Sequence, residues 1–275
     1  MAVNYAEKYA DIIDEEMSKE SLTDKATNRD FNFDGVNKVN VYSIPTVPLN
    51  DYDMTAETNR YGTPTELGND VQTLELKQDK SFTFSIDRAT DTVMAMSAAK
   101  ALARQIKDVV TPTIDKYRIQ KFTEGAHADH VKQETLTNET AYSAFLEGSM
   151  VLFDAKVPTA GRIAFVTPAF YKMIKLDKNF VSSGDKGQEI AINGAVGKID
   201  NTTIIVAPTD YFVTGTNFII CHPMAMTSPI KLADYKQHEN PQGINGWLVE
   251  GRIYFDAFVL DKKKKAIYVS KQLAK

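Results

Sequence analysis

A single cysteine, Cys221, stands among the 275 residues, which excludes an intramolecular disulfide framework and a multi-cysteine zinc or iron–sulfur site. No run approaches the ~18 to 20 uninterrupted apolar residues of a membrane helix. The start, MAVNYAEKYADIIDEEM, lacks the basic-then-apolar layout of a secretory signal, so the expectation is a chain made and folded in a cytosol, with no membrane partner. Neither charge is in large excess: 32 Lys plus Arg stand against 36 Asp plus Glu, a net −4. A dedicated nucleic-acid binder needs a more concentrated basic surface than that. Glycine-rich phosphate loops of either common spacing, a G-x-S-x-G elbow and an H-E-x-x-H pair are all missing. No nucleotide, serine-hydrolase or zincin chemistry is therefore signposted, and no cofactor is implied.

With 43% hydrophobic and 25% charged residues, the composition is that of an ordinary globular chain, long enough for one large or two small domains with a sizeable core. Its charge is unevenly spread. The first twenty residues hold Glu7, Asp11, Asp14, Glu15, Glu16 and Glu20 against Lys8 and Lys19, which accounts for the whole net charge. In the same stretch Tyr5, Tyr9, Ile12 or Ile13, and Met17 share one face at helical spacing, and Asn4 with Glu7 has the form of a capping box. A short amphipathic helix standing before any domain lies either on its own chain or on a neighbouring subunit.

From Lys38 to Ile86 the pattern is a long hairpin. Val39 and Val41 alternate on the way out, and Leu74 and Leu76, then Phe82, Phe84 and Ile86, alternate on the way back. Between them runs LNDYDMTAETNRYGTPTELGND, rich in turn formers and poor in residues able to build a core. Because an isolated two-stranded hairpin is marginal in water, this excursion reads as an arm resting on another molecule; the alternative is a hairpin folded back over its own domain. Its charged tip residues Asp51, Asp53, Glu57, Arg60 and Glu66, together with Tyr61, are the candidate subunit contacts, and Tyr5, Tyr9, Ile13 and Met17 are those of the N-terminal arm.

The longest helical pattern follows, roughly Ala89 to Phe122, with Val93, Met96, Leu102, Ile106, Val109 or Val110, Ile114 and Tyr117 at intervals of three or four. Pro112 predicts a kink or two shorter helices. Asn138 is a candidate cap for a second helix through about Asp154, with Tyr142, Phe145, Leu146, Met150 and Phe153 on its apolar side. Short strands and helices then alternate: a buried strand at Ile163 to Val166, a helix at Ala169 to Leu176 after Pro168, and a glycine-bearing loop VSSGDKGQEIAING. Next come two short strands around a tight turn at Asp200-Asn201, and a buried strand at Phe218 to Ile220. Trp247 to Leu260 reads as a long strand interrupted at Gly251, with Trp247 as a core anchor. Lys262, Lys263, Lys264 and Lys265 sit at the turn before Ala266 to Val269, which closes a final hairpin; their charge either keeps that turn solvated or makes a weak contact with DNA. Of the residues that could do chemistry, His127, Asp129 and His130 lie in a polar loop without a signposted third ligand. Cys221-His222 follows an apolar run and reads as a strand-end core pair rather than a nucleophile. Asp51 and Asp53 sit in a hairpin tip, a poor place to hold acid–base geometry.

The order of these parts resembles the major capsid proteins of tailed bacteriophages. LNDYDM before a glycine-bearing polar tip, then FTFSIDRATD leading into the long helix, resemble that family's extended loop and its return into a spine helix. VPTAGRIAFVTPAFYKMI, Val157 to Ile174, is similar to its pattern of proline, arginine, buried strand, second proline and aromatic-bearing helix. GRIYFDAFVLDKKKKAIYVS, Gly251 to Ser270, is similar to its closing strand pair. The resemblance covers nearly the whole chain. It implies an α+β, Hong Kong 97-like capsid fold with an N-terminal arm (1–35), an extended β-hairpin loop (36–88), a peripheral domain with the spine helix (89–137 and 246–275) and an axial domain (138–245). It further implies a non-enzymatic structural protein whose copies form pentamers and hexamers of an icosahedral head around double-stranded DNA. Its place would be the virion, after assembly in the bacterial host cytoplasm. The implied partners are further copies of itself, a separate scaffolding protein (the arm being too short to serve as a cleaved scaffold), a portal protein and DNA held by weak non-specific contact. Lys77 and Lys80 lie in the returning strand, but no asparagine or glutamate marks a crosslinking partner, so no covalent crosslink is expected. Two rivals stand beside this reading: an encapsulin-like nanocompartment shell of the same fold, and a soluble metal-dependent enzyme using His127, Asp129 and His130.

Overall fold

The computed structural model describes residues 21–28, 30–31, 38–55, 57–88, 98–181 and 197–273. The acidic N-terminal helix with Tyr5, Tyr9, Ile13 and Met17, the start of the long helix with Val93 and Met96, and the loop at 182–196 lie outside them. The chain divides into two compact units, one comprising Phe33–Leu76 and the other the rest.

The smaller unit is a two-stranded antiparallel ribbon, β1 (Lys38–Ser43) against β2 (Asp70–Glu75), with Val39 opposite Leu74 and Val41 opposite Gln72. The expected hairpin is therefore shorter than its sequence pattern. Its return divides at Leu76, and β3 (Gln78–Asp87) with Phe82, Phe84 and Ile86 pairs elsewhere. The period-2 alternation runs across the break because both strands have one apolar face, and alternation does not reveal a change of partner.

In the larger unit the long helix is α1 (Ala98–Gln105) and α2 (Thr111–Gly125) joined by a π-helical turn, Ile106–Val110. That turn is how the chain accommodates Pro112. Proline has no N–H for the carbonyl four residues back and its ring crowds that carbonyl. Here the Thr111 amide bonds Ile106 O in the wider turn, Pro112 sits in the first turn of α2, and the Thr113 hydroxyl donates to Val109 O at 2.6 Å. The remaining elements run β4 (Val131–Gln133), α3 (Ala141–Asp154), β5 (Ile163–Val166), α4 (Pro168–Leu176), α5 (Lys178–Val181), β6 (Lys198–Ile199), β7 (Thr202–Val206), β8 (Thr216–Cys221), β9 (Met226–Thr227), β10 (Ile230–Glu239), β11 (Gly246–Phe255), β12 (Phe258–Val259) and β13 (Ile267–Lys271). They build two cores. Under one lies a six-stranded mixed sheet, β4-β13-β8-β5-β7-β6. It is packed by α3 and α4 through Phe145, Phe170 and Phe218, with the Phe170 and Phe218 rings stacked at 4.5 Å. The other core sets Leu102, Ile106, Val110 and Ile114 of the long helix against β10-β11-β3, where Val249 and Ile253 face them.

Four local expectations are corrected. β11 is not interrupted at Gly251: the residue pairs with Tyr235 on one side and Phe82 on the other. A Cβ there would meet the Phe82 ring at 2.4 Å, so two aromatic rings close over a glycine that would otherwise weaken the strand. The closing hairpin does not form. β12 pairs with β9, whereas β13 lies between β4 and β8, so the last two strands enter different sheets, and Lys262 to Lys265 fall in a 3-10 helix, Asp261–Ala266, rather than a hairpin turn. α3 begins at Ala141, not after an Asn138 cap; Asp177, fully buried and 35 residues away, accepts the Tyr142 amide at 3.1 Å. The face α3 buries is Ala141, Ala144, Phe145, Gly148 and Leu152, while Met150 and Phe153 are exposed. Gly148 allows the helix to seat close on the sheet, since a Cβ there would meet the Tyr268 ring at 2.8 Å. The tight turn at Asp200-Asn201 is as expected, with both residues at positive φ (46° and 62°) as a type I′ turn requires. Trp247, at the second position of β11, packs half-buried against the smaller core.

Candidate assembly surfaces

Residues 44–69, between β1 and β2, carry no regular secondary structure, but their tip is organised. Asp53 accepts from the Thr55 amide (2.8 Å) and hydroxyl (2.6 Å), the Asp53 amide donates to Arg60 O at 3.1 Å, and the Tyr52 and Tyr61 rings meet edge-on at 5.0 Å. Asn59 and Gly62 take positive φ to close the turn. Asp51, Asp53, Glu57, Arg60, Tyr61 and Glu66 are all exposed. The sequence pointed to the charges here and passed over the apolar side chains beside them. Nine large ones between 42 and 71 stand exposed, among them Ile44 (74%), Leu49 (101%), Met54 (77%) and Tyr61 (82%). Among the described residues of 33–76 only Leu74 and Leu76 are buried apolar ones, and neither belongs to either apolar core. Single exposed apolar residues are normal, but such a concentration is not.

The root of the N-terminal segment is fixed on α2. Asp115, 2% exposed, accepts from the Ser21 hydroxyl at 2.6 Å, the Leu22 amide at 2.9 Å and the Thr23 hydroxyl. One turn on, Arg118, also 2% exposed, donates from Nη1 to Thr23 Oγ1 at 3.1 Å and from Nε to Ser228 Oγ at 2.8 Å, with Asp24 3.6 Å away. Asn28 then forms a short bridge with Thr227 and donates its side-chain amide to Pro223 O. Ser228 Oγ donates in turn to Asp256 O at 3.0 Å. The buried Asp256 carboxylate accepts from the Tyr117 hydroxyl (2.7 Å), its neighbour Ala257 N (2.8 Å) and Lys77 N (2.8 Å). Burial and the Asp256 carboxylate both push the Tyr117 hydroxyl far above its ordinary range, so it remains a donor. Sequence reasoning missed this network, because nothing local to Asp115 or Arg118 marks partners about a hundred residues away.

A second buried arginine explains part of VPTAGRIAF. Arg162, 1% exposed, donates to Pro158 O, Ser149 O and Val157 O at 2.9, 3.1 and 2.8 Å, which ties α3 to the segment that follows it. Desolvation holds its pKa below the ordinary guanidinium value.

The lysine run lies beside three histidines. His127 N donates to Lys264 O, His222 N donates to Ala266 O, and His130 lies just before β4, the neighbour of β13 in the six-stranded sheet. Lys262 and Lys265 are exposed, Lys263 and Lys264 half-exposed, and Lys264 pairs with Asp261 at 2.7 Å. His130 is buried and held below its usual pKa by burial first, then by His127 and Lys265; His222 is lowered by burial, Arg162 and Lys263. His127 Nδ1 sits 3.4 Å from Asp129, but His130 faces inward. The described residues contain no group of three or more His, Cys, Asp or Glu able to hold a metal ion. The His127 and His130 rings lie 6.0 Å apart, so the three residues of the metal-enzyme reading are neighbours without forming such a group. Cys221 is fully buried in β8, its thiol pushed far up by desolvation, as a core cysteine and not a nucleophile. No helix among the described residues is long and apolar enough to cross a membrane.

A ribbon without a core of its own, a long helix laid over a three-stranded sheet, and a six-stranded mixed sheet flanked by helices make up the α+β, Hong Kong 97-like fold of phage capsid proteins. The capsid structure of the cyanophage P-SCSP1u superposes with a TM-score of 0.72 at 10% identity, over 91% of this chain and 87% of that one. The bacteriophage PhiM1 mature capsid gives 0.69 at 12% identity, over 92% and 87%. A virus-like particle from Pyrococcus furiosus gives 0.58 at 14%, over 98% and 100%. No family model matches the chain. No curated protein matches it in sequence either.

Proposed function

We propose that this chain is a major capsid protein: a structural, non-enzymatic subunit whose copies form the pentamers and hexamers of an icosahedral phage head around double-stranded DNA. The observation that carries the reading is the separate 33–76 unit, rich in exposed apolar side chains, on a fold shared over about nine-tenths of its length with phage capsid structures. A segment like this is stable in water only when another surface covers it. In this assignment 1–35 is the N-terminal arm, 36–88 the extended loop, 89–137 with 246–275 the peripheral domain, and 138–245 the axial domain. The tip residues Asp51, Asp53, Glu57, Arg60, Tyr61 and Glu66 contact a neighbouring subunit, and so do Tyr5, Tyr9, Ile13 and Met17 of the arm. A separate scaffolding protein and a portal protein complete the assembly in the host cytoplasm, and the virion is its final location. Lys262, Lys263, Lys264 and Lys265 supply a weak, non-specific contact to packaged DNA.

The encapsulin-like alternative is favoured by one observation, the full-length match to the Pyrococcus furiosus virus-like particle; the higher TM-scores of the phage capsids weigh against it. Size-exclusion chromatography with light scattering tests assembly itself. Rings or shells are the expected result, and a persistently monomeric, fully ordered protein would overturn the proposal.

A further inference from the structure

Residues 21–23 are the first described ones of the chain, and the separate 33–76 unit is followed in sequence by Lys77 of the larger unit. The two roots, 21–23 and Lys77, are joined by a chain of hydrogen bonds that passes through the Asp256 residue, buried from Thr23 to Asp256 and part-buried at Lys77. From the N-terminal side it runs Thr23 Oγ1 to Arg118 Nη1, Arg118 Nε to Ser228 Oγ, and Ser228 Oγ to Asp256 O, after which the Asp256 carboxylate takes the Lys77 amide. Asp115 and Tyr117, from the same helical turn as Arg118, add bonds at the two ends, Asp115 to Ser21, Leu22 and Thr23, Tyr117 to Asp256. Thr23, Asp115, Arg118, Ser228 and Asp256 are each no more than 3% exposed. Between Thr23 and Asp256 no link has water as a ready substitute, so loss of one bond there leaves a buried group unsatisfied and shifts its neighbours. We infer that Arg118, Ser228 and Asp256 are positioning residues that couple the root of the N-terminal arm to the root of the extended loop, so that loosening either anchor loosens the other.

The purpose of such coupling rests on the capsid reading. A subunit that must fit rings of five and of six has to change the angles of arm and loop, and a shared anchor makes the two change together. The coupling itself does not depend on any shell, and so it is measured separately.

The test is amide hydrogen exchange on the full-length chain, comparing native protein with Ser228→Ala and Thr23→Val. Three amides serve as reporters: Leu22, bonded to Asp115; Lys77, bonded to Asp256; and Tyr142, bonded to the distant Asp177. Ser228→Ala cuts the middle of the chain of bonds and is expected to raise exchange at Leu22 and Lys77 together by roughly tenfold, with Tyr142 unchanged. Thr23→Val, which touches only the arm root, should raise exchange at Lys77 severalfold. Acceleration confined to Leu22 in Thr23→Val, or to one side in Ser228→Ala, would refute coupling. Equal acceleration at Tyr142 would also refute it, by showing general destabilisation. Assembly of the same variants is scored independently: coupling with no shells would leave this inference standing and the capsid reading fallen.

Discussion

Replacing Asp115 with alanine gives the most demanding test of how the N-terminal segment is held. The carboxylate is buried and accepts three bonds, from Ser21 Oγ, Leu22 N and Thr23 Oγ1. Hydrogen bonds to a charged group contribute about 1.5 to 3 kcal/mol each. The three are not additive, because they share one acceptor and one short segment. If residues 21–28 stay in place, the Leu22 amide and Thr23 hydroxyl lose their acceptor and the cost is about 3 to 5 kcal/mol, the range for breaking a buried ionic partner. At ~2 to 4 °C per kcal/mol for a large domain, the melting temperature falls by roughly 6 to 20 °C. If the segment peels away instead, the cost is capped by the free energy of local opening. Ala26, fully buried, and the Asn28 bonds to Met226 and Pro223 oppose that route. Calorimetry gives the global loss and exchange at Leu22 gives the local one. Asp115→Asn, which keeps one acceptor oxygen, should lose about half as much. A change within ~0.5 kcal/mol, the scale of ordinary surface substitutions, or a large loss with Leu22 protection intact, would show that Asp115 does not hold this segment.

Deleting Thr55 to Thr65 removes a tip that belongs to neither core; monomer unfolding should move by less than about 1 kcal/mol while shells disappear, and loss of the folded monomer would contradict this. Gly148→Val places methyl groups into the Tyr268 ring and should cost ~1 to 3 kcal/mol by overpacking, read by urea denaturation. His130 and His222 have folded-state pKa values below the unfolded value of ~6.5, so the unfolded chain takes up protons first. Stability is therefore at its full value above about pH 6.5 and falls as the pH drops below it, and His130→Gln should flatten that slope in urea titrations at pH 7.5 and 5.5. Changing Lys262, Lys263, Lys264 and Lys265 together to alanine should lower DNA retention in a salt-dependent way with assembly normal; unchanged retention across a salt series would remove DNA from this surface.

Much of the fold was legible because periodicity is a local property. The long helix, the strands at Ile163 and Phe218 and the I′ turn at Asp200-Asn201 were each written in a few adjacent residues. What failed depended on partners distant in sequence. Leu74 and Phe82 show one alternation but enter different sheets. The polar strand Ile230–Glu239, KLADYKQHE after its isoleucine, has no apolar run and is held by pairing along all of β11. The first turn of α3 is capped by Asp177, 35 residues away, rather than by the Asn138 beside it. The candidate tip residues could be named from composition alone, because a charged turn-rich excursion is visible in sequence. The Thr23 to Lys77 chain of bonds could not, because it gathers five stretches of chain around one helical turn.

The central claim is that this chain builds a closed shell around DNA, and electron microscopy of the protein expressed alone and with its scaffolding protein, with nucleic acid assayed in particles purified from infected cells, tests it most directly. Closed icosahedral particles of uniform size that protect double-stranded DNA from nuclease are the predicted result. Uniform shells filled with protein cargo and free of DNA, or no shells under any condition, would contradict it.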